Sequence, residues 1–155
     1  MADGITAAIA LGSNLGDRAA HLAFAVSRLQ DVFENLRVSR TYETRPVGIE
    51  GAQPLFLNAA AVGVVRISAR VLLALLLGIE QERGRDRPYP NAPRTLDLDL
   101  ILFDDAIIDE PDLVVPHPRF RERRFVLEPL AEIASDLRDP VTGLHIRDLL
   151  AELRD

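Results

Sequence analysis

No cysteine and no tryptophan occur among the 155 residues, and all 18 basic side chains are arginine. Without cysteine the chain has no disulfide framework, no thiolate metal site and no thiol nucleophile, a composition suited to a reducing compartment. Without lysine it has no phosphate-binding loop ending in Gly-Lys-Ser/Thr, so a bound triphosphate has to be held by arginine, metal and backbone. No apolar stretch approaches the ~20 residues of a membrane span, and the start MADGITAAIALGSN lacks a basic segment followed by an apolar run and a cleavage site. A soluble, cytoplasmic protein is expected. Positive charge is also in deficit: the formal net charge is -6, which argues against general nucleic-acid binding, where a basic surface replaces phosphate counterions.

Against that acidic background two segments are cationic. Arg83, Arg85, Arg87 and Arg94 face the single acid Asp86, and Arg119, Arg121, Arg123 and Arg124 surround Glu122. Such patches fit a small, highly charged anion, or a solvated charged face. The length fits one domain, 1–155, with one core.

Hydrophobic patterning orders the elements. Ile5 to Leu11 reads as a buried strand, GSNLGD as a turn with Asp17 as helix N-cap, and Leu22, Val26, Leu29 and Phe33 recur at helical spacing. Leu36, Val38 and Tyr42 alternate with polar residues in a second strand that ends at Arg45-Pro46, and residues 48–54 form a loop. Phe56 to Arg66 is a strand, and Ser68 caps a helix whose Leu72, Leu75, Leu76 and Ile79 face the sheet until Gly84 stops it. Three prolines make residues 84–93 a loop. A strand over 95–103, short extended pieces near 107–108 and 113–115, and helices over 125–133 and 146–153 complete the chain. This order predicts an α+β, ferredoxin-like fold, a mostly antiparallel sheet with helices on one face and the other face free for a ligand.

In TLDLDLILF, period two places Leu96, Leu98, Leu100 and Leu102 on one face and Asp97 and Asp99 on the other. Two carboxylates side by side on a strand repel, and a shared hard cation accounts for them; a solvated face or a pairing with Arg94 stays open as the alternative. Phe56 and Asn58 likewise share a face, and an aromatic beside an amide suits a flat heterocycle whose ring stacks and whose edge is read, although Phe56 also fits simple core packing. GSN at 12–14 fits a phosphate approach or an ordinary turn. His117 stands between two prolines, at a ligand or on a surface loop.

GSNLGD at 12–17, TYETRPVG at 41–48, QPLFLNAA at 53–60, Glu80, GR at 84–85, PRTLDLDLILF at 93–103, VPHPR at 115–119 and FVLEPL at 125–130 follow one another as in a known family. On these motifs the chain resembles the 6-hydroxymethyl-7,8-dihydropterin pyrophosphokinases along nearly its whole length. The resemblance implies ATP as diphosphate donor, two Mg²⁺ ions and Asp97 and Asp99 as their ligands. It implies further that Phe56 and Phe125 sandwich the pterin, that Asn58 bonds its edge, and that the backbone of Thr44, Arg45, Pro46 and Val47 completes the pocket. Arg85 and Arg94 would grip the phosphates as catalytic residues beside Asp97 and Asp99, with Glu80, His117 and Arg123 on the ATP side and Arg124 as a neighbour able to replace Arg123. Three features depart from the family: Tyr89 in a loop that often carries Trp, Pro118 after the histidine, and Leu77 where a polar nucleotide contact is sometimes found.

The implied reaction is attack of the pterin hydroxymethyl oxygen on the β-phosphorus of ATP with AMP leaving, which requires alignment and charge neutralisation, with Asp99 the candidate to orient the hydroxyl and metal lowering of the alcohol's pKa the alternative. ATP and the pterin are the expected partners, with no nucleic acid, membrane or obligate protein partner. A ferredoxin-like binding module without turnover would account for Phe56 and Asn58 but not for the Asp pair and its arginines. A nucleotidyltransferase would use two Asp on metals as well and would release diphosphate instead of AMP.

Overall fold

Small side chains dominate the two central strands, β1 (Ile5–Ser13) and β4 (Phe56–Val65), in a computed structural model that describes residues 3–45, 55–84 and 95–153. The two pair antiparallel from Ile5 opposite Val65 to Ser13 opposite Leu57. On the other side of β1 lies β5 (Asp97–Phe103), again antiparallel. Along the outer side of β4 run β2 (Glu34–Val38) and then β3 (Tyr42–Thr44), giving the order β2-β4-β1-β5 with β3 also on β4.

The second strand, read from sequence as one alternating run, is therefore two. Between them Ser39 donates its N–H to the Ala60 carbonyl at 2.9 Å, and its Oγ accepts from the Ala60 N–H at 2.9 Å. The hydroxyl supplies the acceptor that a regular ladder would take from backbone, which lets the edge break without orphaning a buried amide. Asn35, with φ 53°, marks a second irregularity between Glu34 and Arg37.

The two helices of the α/β crossovers start at the expected caps. In α1 (Arg18–Gln30) Asp17 accepts from the Ala20 N–H at 3.1 Å, and in α2 (Ala69–Glu82) Ser68 accepts from the Val71 N–H at 3.1 Å. Gly84, at φ 79°, adopts the left-handed conformation that closes α2. Leu22, Ala25 and Leu29 of α1 and Leu72, Leu76 and Ile79 of α2 are buried. Two residues leave their expected places. Phe33 lies beyond the end of α1, its N–H still bonded to the Leu29 carbonyl at 2.9 Å, and Leu75 is 38% exposed because the buried stripe of α2 runs through Leu72, Leu76 and Ile79.

The chain then forms the hairpin β6 (Ile108–Glu110) and β7 (Leu113–Val115), a 3-10 turn at Phe120–Glu122, and helices α3 (Arg124–Ala134) and α4 (Ile146–Glu152). These helices correct the expectation of a face left free. Ala7, Ile9, Leu11, Ala59 and Ala61 pack with α1 and α2, while Ala8, Ala60 and Val62, on the opposite side of the same strands, pack with Phe120, Val126, Leu127, Leu130, Ile146 and Leu149. The α+β class holds; helices cover both faces, the second only in part. Leu102 is also corrected. A bulge lets Ala8 face Leu102 while Ile9 faces Leu100, which reverses the alternation, so Leu102 joins the second cluster and only Leu96, Leu98 and Leu100 share the first. Among the described residues no helix is long and apolar enough to cross a membrane.

Gly63 is a contact point between β4 and the segment after α1. A Cβ placed there would lie 2.9 Å from Phe33 Cδ2 and 3.1 Å from the Glu34 carbonyl oxygen. Because the backbone oxygen cannot retreat as a side chain would, Gly63→Ala is predicted to lower unfolding free energy by about 1–3 kcal/mol. Urea denaturation checks this, and a midpoint equal to wild type would contradict it.

Candidate active site

Strand register sets one row of residues across the sheet: Tyr42 opposite Asn58, Asn58 opposite Gly12, and Gly12 opposite Asp97. The neighbouring rows contain Thr44 opposite Phe56, and Ala60, Ala10 and Asp99. These side chains lie on the face that α3 covers farther along, since Ala8, Ala60 and Ile101 of the same alternation pack in its cluster. The middle of the row is nearly empty of side chain. A Cβ on Gly12 would come within 3.2 Å of Asn58 Oδ1 and 3.7 Å of Phe56, and the adjacent Ala10 is partly exposed. The result is a shallow trough with an aromatic and an amide at one end and two carboxylates at the other, two strands apart, or roughly 10 Å.

Each wall is held by identifiable contacts. Asn58, 5% exposed, donates from Nδ2 to Thr44 Oγ1 at 2.5 Å, which leaves Oδ1 as the group nearest Gly12. Thr44 thereby enters the site through its side chain as well as its backbone. Arg45 is exposed at the end of β3. Asp97 and Asp99 are half-buried in β5, with Leu98 between them in the core. Phe125, near the start of α3, packs at the margin of the second cluster, and the Arg123 guanidinium lies 5.5 Å from its ring centroid.

His117 follows a cis Val115–Pro116 peptide and donates its N–H to the Ile101 carbonyl at 3.0 Å, which sets it against β5. Burial lowers the pKa of its imidazole below the ordinary value, and the charges of Arg123 and Arg119 add to that against the opposing pull of Asp97. The ring stays neutral near pH 7, a donor and acceptor near Asp97 without a further positive charge. Glu80 is buried at 2% exposure, and its Oε2 accepts the Leu98 N–H at 2.6 Å. It meets β5 along the strand's outer edge.

The second cationic segment is divided among different tasks. Arg121 forms an ion pair with the fully buried Asp139, Arg124 reaches Glu128 and the Leu153 carbonyl, Arg119 donates its N–H to His117 Nδ1 at 3.2 Å, and Arg123 turns toward Phe125 and His117. Arg123 and Arg124 are thus separated by geometry, with Arg123 on the site. Pro46, Val47, Arg85 and Arg94 lie outside the described residues, as do Arg87 and Tyr89. Sequence reading passed over two participants. GSN at 12–14 reads as a turn or a phosphate approach, and only the cross-strand partners of Gly12 reveal why a side chain is excluded there; Tyr42 reads as a strand residue, and its place beside Asn58 depends on a register that crosses the Ser39 break.

The donor set suits a hard cation. Two carboxylates on one strand face provide oxygen ligands of the kind Mg²⁺ takes in ones and twos, the rest of its shell coming from water and phosphate. Among the described residues no group of three or more His, Cys, Asp or Glu is gathered as a cation site.

Comparison with known proteins gives one consistent result. The 2-amino-4-hydroxy-6-hydroxymethyldihydropteridine pyrophosphokinase of Bacillus subtilis (strain 168) is 46% identical over 137 residues, covering 87% of this chain and 81% of its own length. The protein of that name from Pseudomonas aeruginosa is 40% identical over 148 residues, covering 92% and 88%. The Folic acid synthesis protein fol1 of Pneumocystis carinii is 38% identical over 95% of this chain, which spans only 20% of that longer protein. The crystal structure of wild-type Plasmodium falciparum HPPK-DHPS shares the fold with a TM-score of 0.78 at 14% identity, over 98% of this chain and 45% of that one. Residues 8–135 match the family described as 7,8-dihydro-6-hydroxymethylpterin-pyrophosphokinase (HPPK), and the chain belongs to that family.

Proposed function

We propose that this chain, acting as one pyrophosphokinase unit, transfers the terminal diphosphate of ATP to 6-hydroxymethyl-7,8-dihydropterin across the trough between Asn58 and Asp97. The reaction class and ATP as co-substrate follow from the family; the assignment of residues rests on the single row Asn58–Gly12–Asp97. A flat bicyclic ring lying over Gly12 meets the Asn58 Oδ1 with its N–H edge, and Phe56 and Phe125 offer ring faces. Its hydroxymethyl arm then points toward β5. The Thr44–Val47 backbone would close the remaining side of the pocket.

Two Mg²⁺ ions on Asp97 and Asp99 would neutralise phosphate charge and acidify the attacking hydroxyl. The protein's part is positional. Asp97 and Asp99 fix where the phosphate chain lies relative to the trough, and Asp99, one row farther along β5, is placed to orient the hydroxyl. Arg85 and Arg94 would grip the phosphates, with Arg123 and neutral His117 at the same end. In the step itself a bond forms between the pterin oxygen and the β-phosphorus, the bond from that phosphorus to the α-phosphate oxygen breaks, and AMP leaves. ATP as co-substrate fits a cytoplasmic location.

Incubation with Mg-ATP and the reduced pterin alcohol tests the reading: AMP and pterin diphosphate are the expected products, and release of inorganic diphosphate would indicate a nucleotidyltransferase instead. Asp97→Asn and Asp99→Asn each delete one ligand charge with little change of shape and are predicted to reduce turnover on the order of a hundredfold or more, with unchanged thermal melting. Near-normal Mg-dependent rates in both would remove the metal assignment. Phe56→Ala is predicted to weaken pterin binding by about 1–3 kcal/mol, as for loss of a base-stacking aromatic. Calorimetry showing wild-type pterin affinity in the folded variant would return Phe56 to the core.

A further inference from the structure

The pocket walls belong to different elements: Phe56 and Asn58 stand on β4, whereas Phe125 stands on α3. The distance between them depends on how α3 seats on the sheet, and its seat on the β3 side is polar. Glu132 Oε1 accepts the Tyr42 hydroxyl at 2.6 Å, and Glu132 Oε2 accepts the Arg40 N–H at 3.0 Å. Arg40 also lays its guanidinium 4.9 Å from the centroid of the Tyr42 ring and approaches Glu132 at 3.6 Å. One residue on, the Ile133 carbonyl accepts from Arg37 of β2.

Spacing connects this seat to the site at both ends. Glu132 follows Phe125 by seven residues, two helical turns, so both lie on one stripe of α3. Tyr42 is the cross-strand partner of Asn58, and Thr44, two residues on, holds the Asn58 amide. Pro129, between the two ends of that stripe, has no N–H for the Phe125 carbonyl four residues back, so the first turn of α3 depends more on external contacts for its position. The hydrogen bond from Tyr42 and the Arg40 N–H hold the Glu132 carboxyl below its ordinary pKa against a small opposing effect of burial, consistent with bonds made to the ionised form.

We propose that Glu132 is a positioning residue for the pterin: by holding the Tyr42 hydroxyl and the Arg40 N–H together, it sets the gap between Phe125 on α3 and the Phe56–Asn58 wall on β4. The inference rests on the pocket assignment given above. Glu132 touches no reacting atom, and its effect passes through the seat of the helix.

The test compares Tyr42→Phe, Glu132→Ala and the double variant with Phe56→Ala and Phe125→Ala in the full chain, using calorimetry with 6-hydroxymethyl-7,8-dihydropterin, steady-state kinetics in both substrates and thermal melting. Loss of the latch is expected to raise the pterin Kd and KM roughly three- to tenfold, the scale of a single hydrogen bond, with the ATP KM within about twofold. The double variant should be little worse than Glu132→Ala, because both changes break one interaction. Tyr42→Phe removes a single oxygen and keeps the test available if Glu132→Ala unfolds. Wild-type pterin affinity in Tyr42→Phe and folded Glu132→Ala, while both Phe variants bind weakly, overturns the latch and leaves the pocket standing. Equal loss for both substrates with a lowered melting temperature also overturns it, and unchanged affinity in the Phe variants overturns the pocket and the latch together.

Discussion

The pairing of Gly12 with Asn58 on one side and with Asp97 on the other is the constraint on which the site depends. A register slip of one residue in either ladder would turn Asn58 or the Asp pair through the sheet into the cluster beneath α1 and α2. The slip is opposed by burial on both faces: Ile9, Leu11, Ala59 and Ala61 are within 3% of full burial on one side, and Ala8, Ala60 and Val62 within 1% on the other. Where the helices cover them, the two central strands therefore tolerate a polar exchange on neither face. Their small side chains serve the site as well. Ala8 and Ala60 allow α3 to approach the sheet, and the same low profile, continued through Ala10 to Gly12 past the end of that helix, leaves the trough.

Much of this was legible in sequence because the signals are local. Caps at Asp17 and Ser68, the stop at Gly84 and the alternation in TLDLD each depend on residues a few positions apart, and each appears where expected. The features that were missed depend on partners far along the chain. Whether Leu102 continues the leucine face depends on a bulge opposite Ala8 and Ile9, more than ninety residues earlier. The break at Ser39 is stabilised by Ala60, and apolar alternation from Leu36 to Tyr42 carries no sign of it. The C-terminal helices have an apolar stripe in sequence, but a stripe does not state which side of a sheet it meets. As for the site, residue types and periods placed Asp97 with Asp99 and Phe56 with Asn58. They could not bring the two pairs into one trough, since that requires β1 between β4 and β5.

Arginine in place of lysine has a visible consequence around the site. A guanidinium presents several donors in one plane and stacks on rings, so a single side chain can bridge elements. Arg40 does this with Tyr42 and Glu132, Arg123 with the Phe125 ring, and Arg121 with the buried carboxylate of Asp139. Burial pushes the Asp139 carboxyl up, but bonds from Arg121, Thr142 and the Val141 N–H outweigh it and hold the pKa below the ordinary value. The stability from that pair is present above the ordinary carboxyl range and is lost as pH falls through the lowered pKa. Arginines that look like one cationic run in sequence are consequently consumed in different interactions. Of Arg121, Arg123 and Arg124, Arg123 is the one that lies over the Phe125 ring.

The strand that bears the carboxylates raises a separate problem, because among the described residues β5 is an edge strand, and two acids two residues apart on one face work against strand formation. On its inner side the ladder to β1 holds it. On its outer side Glu80 reaches from α2 and accepts the N–H of Leu98, the residue between the two acids. A buried carboxyl oxygen is costly unless it is hydrogen-bonded, and an outward amide on an edge strand is an invitation to another strand; each supplies what the other lacks. The direction of this contact matters more than its strength. Backbone N–H groups lie in the plane of the sheet, whereas side chains stand perpendicular to it. Glu80 can therefore bond the backbone of β5 at the midpoint of the Asp pair without entering the face on which Asp97 and Asp99 stand, which leaves that carboxylate face directed toward the trough.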